Sequence, residues 1–202
     1  YHNRAVVLKK LERPDDAEES YREALNVDPK HIGAHHNLAL IHKQRGQIKE
    51  ALSMAKNILK FEAIHPQTNY SAGIWSLQLS QWREGWKYYE YRWKVWAKGK
   101  EIKWPFPKKY LWKGQTGKRV VLWKEQGIGD QIIFLSLVPE VKEMCSRLSV
   151  YVDPRLGSLC RRAMPEIHFI PNESELKRAK CDYHLPIQSL GSLIRNDISD
   201  FD

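Results

Sequence analysis

Cysteine is scarce, and what there is does not pair. The three thiols are Cys145, Cys160 and Cys181. None lies in a C-x-x-C arrangement, and an odd number argues against a disulfide framework. A reducing, cytoplasmic setting is the expectation. Long apolar runs are also missing. No stretch approaches the ~18 consecutive apolar residues of a spanning helix, so no membrane span is expected. No initiator Met or charged-then-apolar leader opens the sequence, and Asp197–Asp202 forms no evident terminal element, so the chain reads as a piece of a longer protein. Ser158 and Ser189 lack a nucleophile-elbow context. The eight His are scattered: His35 and His42 share a helix face, but no Cys or carboxylate cluster joins them. Neither a metal site nor a cofactor is expected.

What is present is enough to fold. Hydrophobic residues make up 42% of the chain, which places it among globular proteins rather than disordered polymers. The net charge of +9 is uneven. Between Arg92 and Lys124 there are eleven basic residues against one acid, Glu101, while the remaining 22 basic and 23 acidic residues nearly cancel. That basic stretch suits either an anionic partner or a solvated connector.

A period of 34 residues organises the first hundred positions. Ala5, Ala39 and Gly73 recur at that interval, as do Ala17, Ala51 and Gly85, and Leu25, Leu59 and Trp93. Small side chains on two such lines are what paired antiparallel helices need where their backbones approach. Pro14, Asp15 and Asp16 open a helix, Pro29 closes it, and Gly46 marks a turn. Ala63 replaces the closing proline of the second unit, and the chain runs through Ile64-His65-Pro66 into the third. The run Ala24-Leu25-Asn26-Val27-Asp28-Pro29 and the helix predicted from Ala34 to Gly46 resemble the tetratricopeptide repeat family. The resemblance implies a stack of helical hairpins, an α-solenoid, that binds a protein or peptide.

In the third unit Trp82, Trp86, Tyr89, Trp93 and Trp96 are spaced 4, 3, 4, 3, which predicts five aromatics on one helical face. All eight Trp lie between Trp75 and Trp123, predicting an aromatic contact between the repeats and the domain after them. From Lys98 to Thr116, Pro105 and Pro107 forbid a regular helix. Trp104, Phe106, Tyr110 and Trp112 then anchor an extended strand. Basic residues interleaved with aromatics also fit single-stranded nucleic acid, but no nucleic-acid motif accompanies them.

Arg119 to Trp123 reads as a strand, followed by the turn Lys124-Glu125-Gln126-Gly127-Ile128-Gly129-Asp130 and a helical pattern from Gln131 to Leu148 with a break or restart at Pro139. Leu148–Val152 is a second strand and Pro154–Met164 a second helix. Ile167–Ile170 and Asp182–Leu185 are short strands. The alternation predicts a partial α/β, Rossmann-like domain with a parallel sheet. The expected boundaries are 1–97 for the repeats, 98–118 for the basic connector and 119–202 for the α/β part. Ligands of such sheets bind beyond the carboxyl ends of the strands. Gly127 and Gly129 would permit a sharp turn and close approach of a ligand. Asp130 reads either as a helix N-cap or as a carboxylate that takes a proton from a hydroxyl. A carboxylate there would repel a phosphate.

The stretches Gly85–Trp93, Leu111–Gln115, Glu125–Asp130 with Phe134, and Pro186–Leu190 resemble bacterial proteins that join tetratricopeptide repeats to a glycosyltransferase-like domain of the heptosyltransferase type with the two-domain GT-B fold. The resemblance implies that Asp130 is the catalytic base and that Glu125, Gln126, Gly127 and Gly129 form the acceptor-side loop. It implies a sugar acceptor as a second partner. The GT-B fold needs a second Rossmann-like half to hold the donor, and this chain has none, so as given it is expected not to catalyse transfer. A non-catalytic interaction scaffold is the alternative, and nucleic-acid binding through residues 92–124 the second.

Overall fold

The computed structural model describes residues 1–125 and 127–201, grouped in two compact units, Tyr1–Lys100 and Glu101–Asp202. The first unit is helical throughout: α1 (His2–Lys10), α2 (Pro14–Val27), α3 (Ile32–Gln44), α4 (Ile48–Phe61), α5 (Pro66–Gln78), α6 (Trp82–Tyr89) and α7 (Arg92–Ala97). Consecutive helices pack as hairpins and each hairpin packs on the next. The small residues on the two periodic lines lie at those contacts. Ala5, Ala17, Ala39 and Ala51 are fully buried. In the third unit the approach is closer still. A Cβ on Gly73 would stand 2.5 Å from the Tyr89 backbone nitrogen, and one on Gly85 would stand 2.8 Å from the Leu77 side chain. Only glycine fits.

Three periodic features set the chain's course. The turn inside each hairpin places one residue at positive φ: Glu12 at 57°, Gly46 at 77° and Ser80 at 57°, again 34 apart. Glycine suits this conformation, and two of the three positions hold other residues. Second, His31 and His65 cap α3 and α5, their Nδ1 atoms accepting the backbone N–H of Ala34 at 3.1 Å and of Thr68 at 3.3 Å. Third, Ala24, Ile58 and Arg92 occupy one repeat position, and all three are buried. Arg92 is tolerated there because its guanidinium lies 4.9 Å from the Tyr89 and Trp93 rings and pairs with Glu90 at 2.7 Å. It belongs to the core rather than to a basic surface.

The aromatic row differs from its expected form. The helix is interrupted at Glu90 and Tyr91, so Trp82, Trp86 and Tyr89 fall on α6 while Trp93 and Trp96 fall on α7. The rings remain in contact, Trp86 with Tyr89 at 5.8 Å and Trp93 with Trp96 at 5.6 Å. The buried Arg92 takes the place beneath them that a continuous apolar stripe would have filled.

The second unit holds a four-stranded parallel sheet, β1 (Lys118–Trp123), β2 (Cys145–Tyr151), β3 (His168–Ile170) and β4 (Tyr183–Pro186), in the order β3-β2-β1-β4. Its helices are α8 (Ile128–Leu135), α9 (Val138–Met144), α10 (Pro154–Ala163), α11 (Glu173–Arg178) and α12 (Leu190–Ile194). Val120 to Trp123 are buried in succession, as in a strand covered on both faces. The helical pattern from Gln131 to Leu148 divides. Pro139 restarts a helix as α9, but the chain turns to strand at Cys145, earlier than apolar periodicity suggests, because residues 145–151 pair with β1. Residues 104–112 lie against the sheet. His184, fully buried, accepts the Trp123 indole N–H at Nδ1 (3.1 Å) and donates from Nε2 to the Pro107 carbonyl (3.0 Å), and Trp112 N–H donates to the His184 carbonyl at 2.9 Å. Trp104, Phe106 and Trp112 anchor this segment, whereas Tyr110 stays exposed.

Candidate functional site

A sheet ordered β3-β2-β1-β4 reverses its direction of winding between β1 and β4. In sheets of this kind ligands bind at such a reversal, beyond the carboxyl ends of the strands. The loop after β1 and the 3-10 turn Ile187–Ser189 after β4 flank this point. They are joined across it: Glu125 Oε1 accepts the Gln188 backbone N–H at 3.0 Å. A second tie comes from the fully buried Gln131 in α8, whose Oε1 accepts the Asp153 backbone N–H at 2.7 Å just beyond β2. Three strand ends are thus held together by two side chains that flank the Gly127–Asp130 turn.

Asp130 stands in the first turn of α8 and is exposed. It is not the helix cap. That position belongs to Gly127, with no side-chain hydrogen bond, and Asp130 is the third helical residue. Its carboxylate makes no hydrogen bond or ion pair among the described residues. Exposed Ile132 and Ile133 follow it along α8. The glycines act differently from expectation. Neither Gly127 nor Gly129 has positive φ, so the turn does not demand them. Their contribution is space: a Cβ on Gly129 would meet nothing within 4 Å, and one on Gly127 only Asp130 Oδ2 at 3.8 Å. Gln126 lies outside the described residues.

Electrostatics tighten the surrounding loops. Hydrogen bonds from Arg155, followed by Lys124, hold the Asp153 carboxyl well below the usual carboxylate range. At the opposite end of the sheet Arg119 does the same for Asp182, with contacts of 2.7 and 3.3 Å. Burial pushes the Cys145 thiol up to about 11 and raises Cys160 and Cys181 as well, so all three are poor nucleophiles. His35 donates from Nε2 to the Pro29 carbonyl at 2.8 Å, and His42 contacts Gln47 at 2.6 Å. Among the described residues no three His, Cys, Asp or Glu cluster for a metal, and no helix is long and apolar enough to cross a membrane. Sequence reading missed Gln131 and His184, buried polar side chains whose partners are remote in sequence, and the tie made by the Gln188 backbone N–H; no local pattern announces them.

Residues 1–31 match the family model described as the tetratricopeptide repeat, and the hairpins after them recur at the same 34-residue spacing. Protein FlbA of Caulobacter vibrioides is 28% identical over 155 residues, covering 73% of this chain and 26% of that protein. Cellulose synthase operon protein C of Pseudomonas fluorescens is 32% identical over 68 residues, covering 34% of this chain and 5% of that protein. An O-GlcNAc transferase variant from Thermobaculum terrenum aligns with 85% of this chain and 41% of its own, at 12% identity and a TM-score of 0.41. The chain therefore spans about a quarter of the first of these relatives and a small fraction of the second.

Proposed function

We propose that the chain is part of a tetratricopeptide-coupled glycosyltransferase-like protein, in which the repeats hold a protein or peptide and the α/β unit forms the acceptor side of a sugar-transfer cleft. One observation carries the reading. Asp130 is an exposed carboxylate without a partner among the described residues, in the first turn of the helix that follows β1, the strand at which the parallel sheet reverses its winding. A general base must be free to reach the proton it removes, and a carboxylate committed to capping or to an ion pair would not be. In this reading Asp130 accepts the proton of the attacking acceptor hydroxyl, Gly127 and Gly129 leave room for the acceptor, and Glu125 holds the loop in place from the β4 side. Gln126 belongs to the same loop by sequence. The donor is held outside the described chain.

The test is sugar transfer by the longer protein carrying Asp130→Ala. A loss of at least about a hundredfold in kcat with unchanged thermal midpoint is expected. Undiminished transfer would remove Asp130 from the chemistry and favour an interaction scaffold, for which the repeat match alone is the support. Nucleic-acid binding through residues 92–124 has less support. Arg92 is buried, Arg119 is committed to Asp182, and Trp104 and Trp112 pack inward.

A further inference from the structure

We propose that the face made by the first helices of the three hairpins, α1, α3 and α5, docks an acidic peptide segment that carries apolar side chains. The inference rests on the reading that the repeats hold a protein or peptide, and it names the chemistry of that partner. It starts from the distribution of acids. α1, α3 and α5 contain no Asp or Glu, whereas α2 alone contains five. Cations are present on these first helices: Arg4, Lys9, Lys10 and Lys43, with four His.

The three helices lie side by side. Lys9 of α1 reaches Asn37 of α3, Nζ to Oδ1 at 3.5 Å, and His36 of α3 lies 3.4 Å from Thr68 of α5, Nδ1 to Oγ1. Val6, Leu40 and Ile74 occupy one repeat position, one on each helix. They touch the hairpin cores and keep part of their surface open. Lys9 and Lys43 follow Val6 and Leu40 by three residues, the spacing of neighbours on a helical face. An apolar row is thus bordered by ammonium groups.

Those ammonium groups lack anions. Lys9 is half-buried, and burial lowers its pKa. No carboxylate pairs with it among the described residues, and its ammonium has the long contact to the Asn37 amide instead. Lys10 and Lys43 are exposed and make no ion pair among the described residues. Arg4 reaches Glu23 at 3.7 Å, a loose pairing. A basic segment would be repelled here, and an uncharged one would leave Lys9 desolvated without a counter-charge. A nucleic acid would meet few cations and an apolar row that offers its phosphates nothing. Carboxylates interspersed with apolar side chains satisfy both features.

Selection of randomised peptides displayed on phage against the 202-residue chain tests it, followed by fluorescence anisotropy of the enriched peptides. Enrichment in Asp and Glu together with Leu, Ile or Val is expected. Lys9→Gln and Lys43→Gln, each with an unchanged circular dichroism spectrum, should weaken the selected peptides at least about fivefold, whereas Lys60→Gln, on the second helix of its hairpin, should not. Enrichment of uncharged or basic peptides, or affinity indifferent to both Lys9→Gln and Lys43→Gln, would overturn the acidic chemistry and leave the repeats as a peptide scaffold. No enrichment at all would overturn both the inference and the reading on which it rests. Tighter binding of an oligouridine strand than of any enriched peptide would assign the face to nucleic acid instead.

Discussion

Glu125 and Gln188, 63 residues apart, join the loops after β1 and β4 through a 3.0 Å hydrogen bond from the Gln188 backbone N–H to a carboxylate oxygen. That bond ties the loop leading to Asp130 to the end of β4. Glu125→Ala is expected to destabilise the α/β unit by about 1–2 kcal/mol and to speed hydrogen exchange at the Gln188 amide. Glu125→Gln keeps an acceptor and should retain most of the protection. Exchange measured by NMR decides between a tie and an incidental contact.

The glycines of the loop after β1 and of the repeats should respond in opposite ways. Gly73→Ala forces a Cβ against the backbone of Tyr88 and Tyr89, and a loss of about 1–3 kcal/mol is expected in urea denaturation. Gly129→Ala meets nothing within 4 Å. It should leave stability unchanged or slightly raised, yet slow sugar transfer by the longer protein by filling the space proposed for the acceptor.

The hairpin turns give a stabilising prediction. Glu12 and Ser80 hold the left-handed conformation that Gly46 holds at the equivalent position. Glu12→Gly and Ser80→Gly should each stabilise the repeats by about 0.5–1 kcal/mol by relieving the Cβ clash. A fall in thermal midpoint for both would show that local contacts of the native side chains outweigh the strain.

One ion pair replaces an apolar pair. Glu18, 6% exposed, is bound by Arg45 and Arg22. One period later the same two positions are Leu52 and Leu79, which pack in the apolar core with Ala39, Ala51 and Trp75. Arg45→Leu alone leaves a buried carboxylate with a poorer complement, and a cost of about 1–3 kcal/mol is expected. The double variant Glu18→Leu/Arg45→Leu should lie within about 1 kcal/mol of the parent. A double-mutant cycle in urea measures the coupling, and additive losses would refute the equivalence of the two pairs.

Acid should loosen the repeats through His36. Burial, with His65 and Lys9 adding to it, pushes His36 from 6.5 down to about 4. The unfolded chain takes up a proton near its ordinary value, and the folded repeats refuse it until about pH 4. Stability is therefore greatest above about pH 6.5 and declines across that interval. The contribution is on the order of 2 kcal/mol, reduced by partial exposure. His65 and His184 are lowered in the same direction by burial, so the difference between the parent and His36→Gln is the informative quantity. The variant should show a shallower fall between pH 7 and 4.5.

The sequence by itself determined the repeats. Their period is carried by side-chain size at Ala5, Ala39 and Gly73, and helix packing is decided by which neighbours on one helix are small, a property local to the chain. It also placed β1, the glycine turn and Pro139, because strand propensity and proline's missing N–H act within a few residues. Only the tertiary structure decided that Arg92 belongs to a core, that Cys145–Leu148 is strand rather than helix, that Asp130 lies inside the first turn rather than at the cap, and that Gln131, His184 and the Gln188 backbone tie the strand ends together. Arg92 is enclosed by the local turn between α6 and α7, which periodicity alone does not place; the strand at Cys145 and the ties of Gln131, His184 and Gln188 depend on partners remote in sequence, such as the β1 ladder or a carboxylate 63 positions away. A buried polar group is tolerated only where such a partner arrives.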